Sequence, residues 1–432
     1  MNAPKLRSTS PVACSSLPLA GLRILDYSQF VAGPLATALL ADLGADVIKV
    51  ESPAGDAYRH YEPLGAGESR RFYALNRGKR SVVCDLKSTR GRAVSRALIA
   101  SADAVVHNMP PDRAVAFGLD AASVRAVNPS AVVTVVSAFG SDGPQAGRIG
   151  YDIVAQAYSG LLMADARTDD RVPRRSGGIP YSDITAGLLA CVSVLAGLAG
   201  RSPQSAPHLE VSLLGAALAT QVQDFVRTER DLPVAQSPGT IVTATELEDV
   251  AQRVHEHDEL EPYYRCYEAA DGFFALACLN VAQRRRLLAM LELQDPWVEN
   301  PQLPPTSAQE RARRVALSGR IAEIVAGRPA AYWVAACASA GVPAGEVRLV
   351  HQLFDDEQVR ANGLVQWIEQ DRGGSVAVLG SLFKIDGMTQ PSSRPAPRLG
   401  EHTESILTEL DLGVSAQFSR PIEAEHRLAR RD

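Results

Sequence analysis

Apolar and polar positions along the first 140 residues alternate between two periods. Leu22–Tyr27 reads as a short buried strand, and Gly33 and Pro34 open a helical run to Leu43, closed by Gly44. Asp46–Val50, Ser81–Leu86, Ala104–His107 and Ala131–Ser137 read as further strands, with a helix over Arg90–Ala100. Strands alternating with helices predict βαβ units and a mostly parallel sheet. Ligands of such sheets are expected beyond the carboxyl ends of the strands. The most apolar stretch, Ile184–Leu198, is too short to span a bilayer and carries Thr, Ser and Gly, so it reads as a buried helix.

The second half has a different pattern. Leu209–Val226 predicts a helix, and the charged, weakly periodic stretch Thr228–Glu261 reads as a linker. Tyr264–Ala277 reads as a hairpin turning at Asp271-Gly272. Helices around Gln283–Leu291 and Ala308–Ala326 complete a small α+β domain. Strand-like segments at Leu364–Gln370 and Ser375–Leu379 precede a Pro-rich tail, and no internal repeat is evident.

Composition narrows the class. The 432 residues suit two domains, and 46% apolar with 22% charged residues is ordinary for a globular protein. Net charge is −5 and no long basic block occurs, so nucleic acid is not an expected partner. Cys14, Cys84, Cys191, Cys266, Cys278 and Cys337 form no CxxC pair and fit neither a zinc site nor a disulfide framework. Reduced thiols in a cytoplasm are expected. Residues 1–19 are broken by Pro11 and Pro18 and hold no continuous apolar core, so neither a cleaved signal nor a membrane partner is expected. The histidines show no HExxH pattern, so no metal is expected, and no GxSxG motif is present.

Three segments are candidates for chemistry. Phe30-Val31-Ala32-Gly33-Pro34 leads from a strand into a helix N-terminus, which suits an anion but equally a plain tight turn. It is not a GxGxxG fingerprint. Asn76-Arg77-Gly78-Lys79-Arg80 gathers three cations before a strand and Lys87 follows it; the choice is between phosphate binding and a solvated basic loop. Asp183 stands where Gly177, Gly178 and Pro180 lead into the apolar helix. It reads either as an N-cap or first-turn residue, or as a carboxylate nucleophile.

Several ordered blocks resemble one family. They are Leu19-Ala20-Gly21-Leu22-Arg23-Ile24-Leu25-Asp26, Ala32-Gly33-Pro34, Leu43 through Glu51, Gly55-Asp56 with Arg59, and Asn76 through Lys87. Gly150-Tyr151-Asp152 follows, with Gln156 and Ser159-Gly160, and then Arg394-Pro395-Ala396-Pro397-Arg398-Leu399-Gly400-Glu401-His402-Thr403. Together they resemble the family III CoA-transferases, from about Leu19 to Leu410. The resemblance implies an α/β fold: a Rossmann-like large domain built from both chain ends, an inserted small α+β domain, and two subunits interlocked like chain links. On this chain it implies a tail over 1–18, the first part of the large domain over 19–225, linker and small domain over 226–345, and a returning segment over 346–432.

The resemblance also implies the chemistry. Asp183 falls on the family's catalytic aspartate, which attacks an acyl-CoA thioester, forms a mixed anhydride and then an aspartyl-CoA thioester, and passes CoA to an acceptor carboxylic acid. CoA and acyl-CoA are then substrates, and no permanently bound cofactor is implied. Val31, Ala32, Cys84, Lys87 and Asn108 fall on CoA-contacting positions, Arg59 on a possible phosphate contact, and Phe139 on the adenine-side wall. Departures are visible: Met109-Pro110-Pro111-Asp112 replaces the usual Arg-Pro-Gly, Ala116 replaces a basic residue with Arg113 one turn earlier, and Val31 stands where formyl-CoA transferase has glutamine. The α-methylacyl-CoA racemases share the fold but need a histidine where this chain has Tyr151. A phenol titrating near ~10 is a poor base at neutral pH. The transferase reading is therefore preferred over the racemase and over a non-catalytic CoA-binding protein.

Overall fold

The computed structural model describes residues 17–62, 69–175, 178–226, 242–299, 307–369, 374–389 and 394–412, apart from the side chains of 256–259. They divide into two compact units. One draws on 1–159, 180–226 and 357–432; the other on 160–179 and 227–356.

The first unit is organised by a six-stranded parallel sheet of β1 (Arg23–Asp26), β2 (Asp46–Glu51), β3 (Arg80–Val83), β4 (Ala104–His107), β5 (Val132–Ser137) and β6 (His208–Ser212), in the order β3-β2-β1-β4-β5-β6. Helices of this unit are α1 (Ala32–Asp42), α2 (Arg70–Asn76), α3 (Thr89–Ala100), α4 (Pro111–Phe117), α5 (Ala121–Val127), α6 (Asp152–Tyr158), α7 (Tyr181–Gly200) and α8 (Leu213–Ala219). The inner strands β1, β2, β4 and β5 carry apolar residues on both faces because both are covered. Ile24, Val47, Val106 and Val132 face α1 and α7, where Leu39, Leu40, Ala190 and Val194 are buried. Their neighbours Leu25, Ile48, Val105 and Val133 face the opposite way, onto Val94 and Leu98 of α3 and Val124 of α5.

The second unit packs α9 (Ala244–Leu260), a three-stranded antiparallel sheet of β7 (Tyr264–Ala269), β8 (Gly272–Ala277) and β9 (Ala344–Glu346), and α10 (Val281–Met290), α11 (Ala308–Val325) and α12 (Ala330–Ala340). Phe274, Leu276, Leu287, Ile321 and Trp333 form its core. The Trp333 indole donates to the Val325 carbonyl at 2.7 Å. After it the chain rejoins the first unit through α13 (Glu357–Ala361), the antiparallel pair β10 (Val365–Glu369) and β11 (Ser375–Leu379), and α14 (Thr403–Glu409).

Two expectations fail for identifiable reasons. Leu209–Val226 is not one helix: its start is β6, in register with β5 from Val133↔His208 to Ser137↔Ser212. The apolar positions Leu209 and Val211 alternate with Glu210 and Ser212, which is a strand period. Ser212 then caps α8 by accepting the Gly215 N–H at 2.9 Å. The expected linker Thr228–Glu261 begins outside the described residues but continues as α9, whose Leu247 and Ala251 are buried four residues apart against Ala166. Such a narrow apolar stripe among many charges carries little periodic signal.

α7 also runs longer than read. Its 20 residues are long and apolar enough to cross a membrane by length and composition. Here one face is packed in the first unit's core, and Gly197 is the point of closest approach: a Cβ there would stand 2.4 Å from a Val132 methyl.

Close approach also governs the turn between β3 and α3. A Cβ at Gly91 would stand 1.9 Å from the Asp85 carbonyl oxygen. Gly91→Ala is expected to cost about 1–3 kcal/mol of stability through backbone displacement. Urea unfolding of the variant and parent, compared at constant slope, checks this.

Candidate active site

The turn after β1 is built from short-range sterics. A Cβ on Gly33 would lie 2.2 Å from Ser28 Oγ, so only glycine lets the turn fold onto the start of α1. Phe30 sits at φ 69°, in the left-handed region that a bulky residue rarely adopts. Its ring meets Tyr58 and Tyr151 edge-on, each with centroids 5.5 Å away. Asn108, just past β4, braces the same turn with both amide atoms: Nδ2 donates to the Gln29 carbonyl at 2.9 Å, and Oδ1 accepts the Gln29 N–H at 3.0 Å. β1 and β4 are the central neighbours where the strand order reverses, the usual ligand crevice of such a sheet.

Beneath the turn lies a buried ion cluster. Asp26 accepts from Lys79 Nζ at 2.9 Å, Thr37 Oγ1 at 2.8 Å and the Ser28 N–H at 2.9 Å. Lys49 pairs with Asp56 at 2.9 Å and donates to the Ser28 carbonyl at 2.9 Å. Asp56 in turn accepts the Tyr58 N–H at 2.9 Å. Burial would raise the Asp26 carboxyl, but Lys49 and Lys79 outweigh it and hold it well below the usual range. Burial lowers Lys79 to about 8 against the pull of Asp26.

The basic segment before β3 is therefore neither a phosphate cradle nor a solvated loop. Lys79 also donates to Asn76 Oδ1 and the Pro34 carbonyl, both at 2.8 Å. Arg77 pairs with Asp42 at 2.5 Å. Arg80 pairs with Asp46 and Glu409, both at 2.6 Å. These acids lie 34 to 329 residues away in sequence, beyond the reach of local spacing. Arg59 is likewise committed. It pairs with Glu51 at 2.6 Å, lies 3.7 Å over the Phe72 ring and donates to the Pro397 carbonyl at 3.1 Å. It braces the C-terminal segment.

The remaining expected CoA positions all follow carboxyl ends of strands. Val31 and Ala32 are buried at the start of α1. Cys84 follows β3; its thiol donates to the Gly91 carbonyl at 3.0 Å, and burial pushes it up to about 12, so it offers no thiolate. Lys87 is exposed just beyond. Phe139 follows β5, with its ring between Tyr158 at 5.3 Å and the Arg148 guanidinium at 5.1 Å. Arg148 was not singled out from sequence; only its cation–π stacking marks it.

Asp183 lies in the first turn of α7 and is not its cap, since the cap position is Pro180. The capping oxygen comes instead from Asp152 on α6. Asp152 Oδ1 accepts the Ser182 N–H at 3.0 Å and the Asp183 N–H at 3.4 Å, while Oδ2 accepts from Gln156 Nε2 at 2.7 Å. One turn on from Asp183, a Cβ at Gly187 would stand 2.9 Å from the Ala32 carbonyl oxygen. Residues four apart share a helix face, so Asp183 is presented beside the start of α1. Burial, and then the charge of Asp152, raise the Asp183 carboxyl to about 7. A half-buried carboxylate of raised basicity, without a cationic partner to quench it in the interactions described, suits nucleophilic attack.

A family model for CoA-transferase family III matches residues 19–403. The chain belongs to that family. It is a CoA-transferase. Over 407 residues it is 32% identical to the succinate–glutarate CoA-transferase of Agrobacterium fabrum, covering 91% of this chain and 96% of that protein. The succinyl-CoA:glutarate CoA-transferase of Mus musculus is 30% identical over 404 residues, 92% of this chain and 87% of its own. The acetyl-CoA:oxalate CoA-transferase of Acetobacter aceti is 29% identical over 400 residues, 91% and 95% respectively. Among solved structures, a CAIB/BAIF family protein from Brucella suis superposes with a TM-score of 0.71 at 30% identity, covering 92% of this chain and all of that one.

The raised basicity of Asp183 gives the transferase a definite stability signature. The folded state keeps the Asp183 proton up to about pH 7, while the unfolded chain releases it near 3.8. This group's contribution is thus full below pH 3.8 and is lost as pH rises to about 7. Asp183→Asn removes that loss. The variant is expected to gain stability relative to the parent steadily across this window, by on the order of a few kcal/mol, and then to level off. Paired unfolding curves between pH 4 and pH 8.5 measure it.

Proposed function

We propose that Asp183 is the nucleophile of an acyl-CoA:carboxylate CoA transfer. The single observation that carries this reading is the half-buried Asp183 carboxylate, raised to about 7, held beside the start of α1 at the carboxyl edge of the sheet. One carboxylate oxygen attacks the thioester carbonyl, the C–S bond breaks, and a mixed anhydride and CoA thiolate result. The thiolate attacks the Asp183 carbonyl of the anhydride and releases the donor acid as a carboxylate, leaving an aspartyl-CoA thioester. An acceptor carboxylate then attacks that thioester, giving a second anhydride and free thiolate. Attack of the thiolate on the acceptor's carbonyl yields the new acyl-CoA and restores Asp183. Each step exchanges one acyl bond for another, so no external activation is needed.

CoA is assigned to the crevice marked by Val31, Ala32, Cys84, Lys87, Asn108 and Phe139. Backbone groups after β1 and β3 take the pantetheine, Lys87 the phosphates, and Phe139 with Arg148 the adenine. Arg59 reaches a phosphate only by giving up Glu51. The five described cysteines are unpaired, in keeping with a cytoplasmic enzyme. A homodimer is supported by α7, whose Leu188, Leu189 and Val192 face outward on a helix otherwise composed like a core element. An interlocked pair of subunits is the arrangement we assign to it.

For the acceptor we propose a four- or five-carbon dicarboxylate. Val31 offers no hydrogen bond to a small diacid, and two relatives carry glutarate in their names, beside succinate in one and succinyl-CoA in the other. The site then favours an acid with an apolar stretch between its carboxylates.

Asp183→Ala is expected to abolish transfer while leaving CoA affinity nearly unchanged, because the one carboxylate beside it, Asp152, is buried with both oxygens engaged as the cap of α7. Parent-like turnover in the variant, assayed by mass spectrometry of acyl-CoA products, refutes the covalent reading. In acceptor kinetics with succinyl-CoA as donor, glutarate is expected to exceed oxalate by about 10²-fold in kcat/KM. Oxalate equal to or better than glutarate refutes the assignment of the acceptor.

A further inference from the structure

We infer that Asp152 is a positioning residue for the transfer: its carboxylate caps the helix that carries the nucleophile, and it sets a like charge against that nucleophile's own turn. The inference rests on Asp183 being the nucleophile. Helix N-termini are usually capped by a residue of their own chain segment, with an oxygen two or three residues before the N–H groups it accepts. α7 lacks this, because Pro180 occupies the cap position and has no side-chain acceptor. The acceptor instead comes from α6, 30 residues earlier, and reaches the N–H groups of Ser182 and of Asp183 itself.

Asp152 is 5% exposed, and its other oxygen is held by Gln156 one turn along α6. The three bonds come from neutral donors, so nothing in them cancels its charge. A capping amide or hydroxyl would fix the turn equally well. A carboxylate adds a negative field on the reacting group, and that field favours the protonated acid at rest and a more basic, more nucleophilic oxygen once ionised.

Among the described residues of the elements packed on α7, Asp152 is the source of that field. α7 packs against α1, α6, α8, β5 and β6. The titratable side chain of α1 is Asp42 at its far end, paired with Arg77. α8 and β5 carry none. β6 carries His208 and Glu210, but meets α7 where Leu209 packs on Gly197, about four turns from Asp183. On α6, Tyr158 lies against Phe139, and the preceding Tyr151 lies against Phe30. The turn Gln29-Phe30-Val31 is uncharged. Burial and Asp152 are the two causes that raise Asp183.

The test separates the cap from the charge. Asp152→Asn keeps an oxygen for the two N–H groups and removes the charge; Asp152→Ala removes both. The titration of Asp183 is read without catalysis, from the pH dependence of the stability difference between each background and its Asp183→Asn partner. In Asp152→Asn the inflection is expected to fall by about one pH unit from that of the parent, and the acid limb of kcat/KM to fall with it. Asp152→Ala is expected to lose about tenfold to a hundredfold in kcat at little change in KM for acyl-CoA, with Asp152→Asn retaining most of it. An inflection unmoved in Asp152→Asn overturns the inference, as does equal kcat in the Ala and Asn variants. If the Ala variant does not fold, the Asn pair alone decides through the inflection. Failure of the nucleophile assignment appears elsewhere, as turnover in Asp183→Ala.

Discussion

The neutralisation of Lys49 and Lys79 by Asp26 and Asp56, out of reach of water, is the constraint on which the site depends. Two ammonium groups in the interior are tolerated only while carboxylates and carbonyls surround them. Those acceptors include the backbone of Ser28 and Pro34, so satisfying the charges also fixes the path of the chain on both sides of Phe30. The unfavourable backbone of Phe30 is held by this surrounding order. Removing one partner leaves an uncompensated charge in a sealed place, which is costlier than never having had the pair. Electrostatics buried for structural reasons thus sets the geometry at the mouth of the crevice.

The fold was largely legible because its strands are short apolar runs separated by turn residues. β4 matches its expectation from Ala104 to His107, and β2 differs by one residue. What escaped were elements whose signal lies in partners rather than in their own pattern. β6 contains only two apolar positions and becomes a strand by pairing with β5. α9 owes its helix to a stripe two residues wide against Ala166. α6, with Asp152, is a seven-residue helix that no periodic window could resolve.

The site shows the same division. Asp183 in the first turn of α7 and the Gly33 turn stand where local motifs placed them, whereas Asn108, expected as a CoA contact, has both amide atoms on the backbone of Gln29. The roles of Arg77, Lys79, Arg80 and Arg59 did not follow from local spacing, since a cluster of cations reads alike whether it faces solvent or distant acids. Asp152 stood within a recognised block, yet its function depends on 30 residues of intervening chain folding back on it. Sequence motifs mark where chemistry is done; the cap supplied across two helices is visible only in three dimensions.

The outer edge of the sheet carries a further consequence. β3 has β2 on one side, and on the other the residues around α14: the Val83 N–H donates to Thr403 Oγ1 at 3.1 Å, His402 N–H to the Ser81 carbonyl at 2.9 Å, and Gly400 N–H to Ser81 Oγ at 2.9 Å. The partners are about 320 residues apart. During synthesis at ~5–20 residues per second, roughly 15–60 s separate the emergence of the edge from that of its seal. Throughout that interval a nascent chain carries an unpaired strand flanked by the cavity where Ile406 and Leu407 belong. The protein's vulnerability to misassembly is thus set by the order of its chain on the ribosome, and chaperone protection has most to offer before Gly400 through Glu409 have emerged.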